Sequence, residues 1–384
     1  MTLAFAVPTL DAVEKFAVFL VMISVLVVLH EGGHFLLARR NGVRVNDFAV
    51  GFGPTLLKWT SKRSGTNYRL NLLPIGGYCA MQGEDGITTE AEQQREFRAS
   101  GDAKVARGDS FQAKTPWQRL SIVVAGPVAN FVLAYVILVI AAISFGVVSP
   151  TSKATNLIGP VTTGSPGAKV GLQAGDRIVA IDGTAFGPLD GDNVLKKIQA
   201  SPNRPLRLTY ERGGARTTVT VTPISVKEKT KSIGRIGFGR VFDFQRMGFT
   251  EAVTTSGLTL VEMIKSQAQG IASLVSNPVA HASQVSGVIG MEQAAATYQA
   301  IGWGPYLQLG AMISLALGMF NLLPVPALDG GRGVFIVAEL LRGRPVDAEK
   351  EAVVHVAGFA VLMALIALVA YHDIANIVSG KGVF

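Results

Sequence analysis

One cysteine, Cys79, in 384 residues excludes an internal disulfide, so no covalent staple sets this fold. Cys79 reads as a small buried or interfacial residue. Charge is also scarce. Only 16% of residues are charged, against roughly 25% in a soluble domain, which points to a membrane protein with some soluble portion. Lysine and arginine outnumber aspartate and glutamate by 35 to 27, yet no basic patch interleaved with aromatics occurs, so nucleic acid is not an expected partner. Many of the basic residues flank apolar runs instead, where the positive-inside rule puts them. The N-terminal apolar segment lacks a small-residue cleavage site, which makes it a retained span and not a signal peptide. No internal repeat of useful length is evident.

What is present is apolar length. Four runs approach the roughly 20 residues that cross a bilayer: 16 to about 38, 120–148, 306–323 and 352–371. The expected fold is a multi-pass α-helical membrane protein with about four transmembrane helices. Arg39, Arg40, Arg44, Lys114 and Arg119 flank the first connection, and Arg342, Arg344 and Lys350 the last. Both connections are therefore expected on the cytoplasmic side, with both termini and the large central region outside.

The first connection, 39–119, contains "VRVNDFAVGFGPTLLKW" and "TNYRLNLLPIGGYCAMQGED". Alternating apolar residues punctuated by glycine suggest short strands and a hairpin. The segment is too apolar for a solvated loop, so a membrane-associated β segment is expected, satisfied by protein or a water-filled cavity. Residues 87–113 read as a polar surface loop. The central region, 154–225, is soluble in character: "DNVLKKIQA" reads as a helix and "LRLTYERGGARTTVTVTPI" as a hairpin around Gly213 and Gly214. Residues 226–305 read as linker and a helix with interspersed polar residues.

The chemistry lies in "VLVVLHEGGHFLLARR", residues 25–40. Positions four apart on a helix share a face, so His30 and His34 can reach one cation. Imidazole suits zinc, and Glu31 beside them can take a proton from a bound water. An HExxH pattern alone is modest evidence. Inside a span, however, each ionisable group costs about 2.5–3.5 kcal/mol on insertion scales, and a cation supplies the compensation. A catalytic zinc needs a third protein ligand. Asp329 in "NLLPVPALDGGR" competes for that place with a simpler use as a helix cap; the second apolar segment around it favours the ligand. Asn321 suits either an oxyanion donor or an interhelical hydrogen bond, and Asn130 in "AGPVANF" a structural or substrate-positioning role. His281, His355 and His372 read as surface or interfacial residues, and Glu339 as snorkelling or bonded between helices.

HEGGH, "GFGP", "LPIGGY", "AGPVANF", "VSGVIGM" and "NLLPVPALDGGR", in that order over nearly the whole chain, resemble the M50-type site-2 protease family, and within it the bacterial regulator-of-sigma-E branch. The resemblance implies an intramembrane zinc metalloprotease with one Zn2+ held by His30, His34 and Asp329, Glu31 activating water and Asn321 assisting. It implies a PDZ domain of α+β type over 154–225, outside the cytoplasm, between a second helix (120–149) and a third (306–341, carrying the NxxPxPxLDGG pattern). The first helix would occupy 1–38 and the fourth 352–372, in a bacterial inner membrane. Implied substrates are single-span proteins pre-cleaved by a site-1 protease, such as anti-sigma factors, and remnant signal peptides. The residues expected to meet substrate are Gly51, Phe52, Gly53, Asn130 and the extended stretch Tyr68, Arg69, Leu70, Asn71 and Leu72, the stretch acting by strand addition.

Overall fold

The apolar runs become helices because an unpaired backbone is too costly in lipid. In the computed structural model the described residues are 10–84, 109–146, 153–162, 164–228, 231–243, 246–276 and 287–378. Four helices are long and apolar enough to cross a membrane: α1 (Leu10–Arg40), α2 (Pro116–Ser144), α7 (Trp303–Leu322) and α9 (Ala348–Val378). The expected third segment is in fact two helices. Pro324 and Pro326 stop α7, and a separate amphipathic helix, α8 (Asp329–Arg342), starts after them. The chain divides into two compact units, one of residues 17–136 and 310–366, the other of 1–16, 137–309 and 367–384.

In the first unit, α1 carries the histidines and is succeeded by two long bent antiparallel strands, β1 (Val45–Thr60) and β2 (Asn67–Met81). Their register folds them into a small sheet. Asp47, Phe48, Ala49 and Val50 partner Ala80, Cys79, Tyr78 and Gly77 on one side and Asn67, Tyr68, Arg69 and Leu70 on the other. Residues 55–60 of β1 then pair with the outer side of Asn67–Asn71. Positive φ at Gly51 and Gly53 (80° and 85°) makes the bend in β1. Leu56, Leu57 and Trp59 are exposed on its outer half. Residues 85–108, most of the expected polar loop, lie outside the described residues. The loop expectation fails at its end: Phe111 is buried among Val43, Val45, Ile122 and Ile336.

Close helix contact in this unit depends on small residues. A Cβ on Gly33 of α1 would collide with the Ala125 carbonyl of α2, and one on Gly318 of α7 would crowd the Pro127 carbonyl and Asn130. Glu339 is bonded between helices, as one of its two readings expected. It accepts from the buried Arg119 of α2, which also donates to the Lys114 carbonyl and Gln112.

The second unit holds an antiparallel sheet of order β10-β3-β4-β6-β7, with β5 (Thr184–Ala185) on β4. The strands are β3 (Ala154–Val161), β4 (Arg177–Ile181), β6 (Leu206–Arg212), β7 (Ala215–Val221) and β10 (Phe238–Phe242). Helices α3 (Pro166–Lys169) and α4 (Gly191–Gln199) join them, and β8 (Ile224–Glu228) pairs with β9 (Lys231–Arg235) apart from the sheet. The hairpin between β6 and β7 turns at Gly213 and Gly214, both at positive φ, as the sequence requires. The core is Ile158, Ile178, Ile181, Val194, Ile198, Leu208 and Ile236. Helices α5 (Phe249–Ser276) and α6 (Val288–Ile301) come next in the chain; His281 lies outside the described residues.

Asp176, 1% exposed, accepts both Arg212 Nε and Nη2 at 2.6 and 2.7 Å, together with the Gln173 amide at 2.8 Å. Replacing this buried carboxylate takes the acceptor from the Gln173 amide and from Arg212 Nε, while Arg212 Nη2 keeps the Gly171 carbonyl. Asp176→Ala should lower the stability of residues 154–242 by about 2–3 kcal/mol, read as a shifted denaturation midpoint.

Candidate metal centre

Helix α1 presents His30 and His34 one turn apart, and the first residue of α8 brings Asp329 to them. His30 Nε2 and His34 Nε2 are 3.3 Å apart, and Asp329 Oδ2 lies 3.2 and 3.3 Å from them. The three atoms form a nearly equilateral triangle. Ligand bonds of about 2.0–2.1 Å in a tetrahedral zinc site give an edge of about 3.3 Å, and all three sides match it. Asp329 Oδ2 is buried and makes no properly directed hydrogen bond, although two ring nitrogens lie close. That is the geometry of donors converging on a cation, not of groups bonded to each other. These three form the metal-capable His/Asp cluster among the described residues.

The imidazoles are also oriented for this task. His34 Nδ1 donates to the Ile122 carbonyl of α2 at 2.8 Å, which leaves its Nε2 lone pair for the metal. His30 Nδ1 lies 3.2 Å from the Asn130 amide. Both residues are 7% exposed. Space for them comes from Gly126: a Cβ there would overlap His34 Nε2 and His30 Cε1.

The histidines, Glu31 and Asp329 line a cavity of about 480 Å³, together with Asn130, Asn321, Tyr78, Cys79, Glu84, Arg332 and His355. So five of the predicted site residues, His30, Glu31, His34, Asn321 and Asp329, meet in one place, with Asn130 behind them. Burial, and then Glu31 and Glu84, push the Cys79 thiol above its ordinary range.

The predicted substrate stretch is placed differently. Tyr68, Arg69 and Leu70 have strand partners on both sides, so they have no free edge for an added strand. Asn71 is buried, donating to the Gly51 carbonyl and accepting from Thr55. Arg69 pairs with Asp47 at 2.7 Å. Of the two outer edges of this sheet, 55–60 and 77–81, it is 77–81 that reaches the cavity, where Tyr78, Cys79, Ala80 and Met81 line the wall. The sequence could not reveal this, because the bend at Gly51 and Gly53 decides which strand ends up outermost. Phe52, between those glycines, stacks on Tyr78; Leu72 is exposed.

His355 also corrects its sequence reading. It is half-buried on α9, and its Nδ1 accepts the Ala327 amide at 3.0 Å. Ala327 has φ +75°, a conformation that costs a non-glycine residue about 1 kcal/mol or more. Gly358, one turn on from His355, lets α9 approach the Pro326 backbone closely. The loop before Asp329 is therefore fixed from α9. Arg332, one turn beyond Asp329, pairs with Glu84 at the end of the sheet segment. His372 is in the last turns of α9.

Gly126→Ala should displace both rings and reduce bound divalent metal at least tenfold, measured as metal per chain after purification. Gly32→Ala is the control, since a Cβ there meets nothing within 4 Å, and it should keep full occupancy.

The family model described as "Peptidase family M50" matches residues 18–365. The regulator of sigma-W protease RasP of Bacillus subtilis is 30% identical, covering 94% of this chain and 98% of its own. The zinc metalloprotease RasP of Geobacillus kaustophilus is 30% identical, over 95% and 98%. The metalloprotease MmpA of Caulobacter vibrioides is 30% identical, over 92% and 94%. Among solved structures, the PDZ domain of an SdrC-like protein from Listeria monocytogenes covers 25% of this chain and 94% of its own at 22% identity, with a TM-score of 0.19. With the family match spanning both apolar ends of the chain and the HExxH helix meeting the aspartate between them, this chain belongs to peptidase family M50, the site-2 protease family of zinc metalloproteases.

Proposed function

We propose that this protein is an intramembrane endopeptidase that hydrolyses peptide bonds within or beside the transmembrane segment of single-span proteins. The observation that carries the reading is the His30, His34 and Asp329 triangle, built on α1 at the depth of an apolar span and opening onto a cavity that also holds a carboxylate, Glu31. His30, His34 and Asp329 would hold one zinc, leaving a fourth position toward the cavity. When bound, that zinc supplies Lewis acidity and lowers the pKa of a water to about 7.

The chain's own groups do the rest. Glu31 takes the proton from the attacking water and later delivers it to the leaving amine. Asn321, at the end of α7 and in the cavity wall, donates its amide to the developing oxyanion. A helical substrate hides its carbonyls, so it must unwind before attack. The open edge at 77–81 supports the idea that the unwound segment adds there as a strand. Exposed Phe52 and Leu72, with the Gly51 and Gly53 bend, offer apolar surface to the incoming segment.

The region expected as a PDZ domain over 154–225, extended to residue 242 by the pairing of β10 with β3, serves as that domain on the extracytoplasmic side. The edge strand β10 lies beside a small cleft against α4, where Arg240 pairs with Asp192. Arg39 and Arg40 at the end of α1, and Arg342 at the end of α8, support placing those ends at the cytoplasmic face of a bacterial inner membrane. The relative from Bacillus subtilis is named a regulator of sigma-W protease. That name supports anti-sigma factors as substrates here; trimming beforehand by a site-1 protease, and remnant signal peptides as a further class, are part of the same proposal.

Glu31→Gln should keep zinc at one per chain and abolish cleavage of a co-expressed tagged single-span protein, so that the uncut form accumulates. His34→Ala should lose zinc and cleavage together. Cleavage at the wild-type rate by Glu31→Gln would overturn the mechanism. For the strand edge, proline is placed at whichever of Tyr78 and Cys79 directs its amide away from β1. Cleavage of the membrane-embedded substrate should fall at least tenfold with zinc retained, and an unchanged rate would refute pairing there.

A further inference from the structure

Asn130 is wholly buried on α2, and its place is fixed from two directions. Its backbone carbonyl accepts Ser314 Oγ of α7 at 2.9 Å, with Ser314 itself fully buried. Its side-chain amide lies 3.2 Å from His30 Nδ1. A neutral imidazole carries one proton, so Nε2 can offer a lone pair to a metal only when the proton is on Nδ1. Nδ1–H then needs an acceptor, and no water can stand in at a fully buried contact. The two ends of a primary amide have the same shape, and only the oxygen can accept. With the amide nitrogen toward His30, Asn130 Oδ1 is buried with no partner. With the oxygen toward His30, that oxygen gains its bond, and the ring is held with Nε2 facing His34 Nε2 and Asp329 Oδ2. His34 is already held this way by the Ile122 carbonyl. Each ring of the pair thus has one acceptor on α2, one from the backbone and one from a side chain.

We propose that Asn130 is a positioning residue for the metal: its amide oxygen accepts the Nδ1–H of His30 and fixes the tautomer and ring plane that the zinc site requires. This inference rests on the zinc site proposed above. It gives Asn130 a place behind the metal ligand and not against the substrate. Outer hydrogen-bond partners of this kind change metal affinity by roughly 10–100-fold when lost.

The test measures zinc affinity of the purified full-length protein in detergent by competition with a chelator, for wild type, Asn130→Ala, Asn130→Asp and Asp329→Ala. Asn130→Ala should bind zinc about 10–100-fold more weakly. Asn130→Asp, which can only accept, should bind at least as tightly as wild type. Cleavage by Asn130→Ala should recover when free zinc is raised to saturate the site. Wild-type zinc affinity in Asn130→Ala, or weak cleavage that persists at full zinc occupancy, would overturn the proposal and return Asn130 to a substrate-contacting role. If Asn130→Ala does not fold, Asn130→Asp decides alone: a tenfold loss of affinity in the folded protein overturns it. Asp329→Ala separates the two readings. Retention of zinc in that variant sinks the metal site itself, whereas its loss, with Asn130→Ala unaffected, sinks only the role of Asn130.

Discussion

Two imidazoles and a carboxylate, placed where hydrocarbon is the natural surrounding, are tolerable only if something satisfies all three together. Each alone would cost several kcal/mol at that depth. Their donor atoms sit at the corners of a triangle whose sides, 3.2 to 3.3 Å, suit a single divalent ion. Much of the surrounding unit is arranged to make that meeting possible. Glycines at 33 and 318 let backbones approach and Gly126 makes room for both rings, the Ile122 carbonyl orients one ring, and a proline-broken helix turns so that Asp329 opens the next one.

The same arrangement explains why an irregular β segment stands among apolar helices. A continuous helix would present only side chains to the cavity, with its backbone groups already paired. The bent sheet instead brings an open strand edge, 77–81, to the cavity wall. Its outer half exposes Leu56, Leu57 and Trp59, so one element presents apolar side chains on one side and a strand edge to the cavity on the other. Backbone that would be unacceptable in lipid becomes acceptable where protein and a polar cavity satisfy it.

Features governed by local spacing and chemical type were legible in the sequence. His30 and His34 at a separation of four, Glu31 between them and an isolated aspartate after two prolines were readable because helix geometry and ligand chemistry are local rules. The hairpin at Gly213 and Gly214 was readable for the same reason. The order of segments within the β1 and β2 sheet was not. A strand register depends on long-range pairing, and a bend at Gly51 and Gly53 moved the free edge from Tyr68–Leu70 to 77–81. His355 looked idle because its partner, the Ala327 amide, is 28 residues away in sequence and belongs to the backbone. Asn130 was noticed for its polarity, but its partner lies 100 residues earlier, beyond what a pattern in one segment can report.

The strained backbone at Ala327 makes the last apolar helix a structural abutment. Helix α9 supplies no donor to the cation, yet His355 and Gly358 brace the loop that delivers Asp329. A shift of that helix would therefore be passed to Asp329 through a short mechanical train: an imidazole, then one alanine in the left-handed region, two residues ahead of the carboxylate.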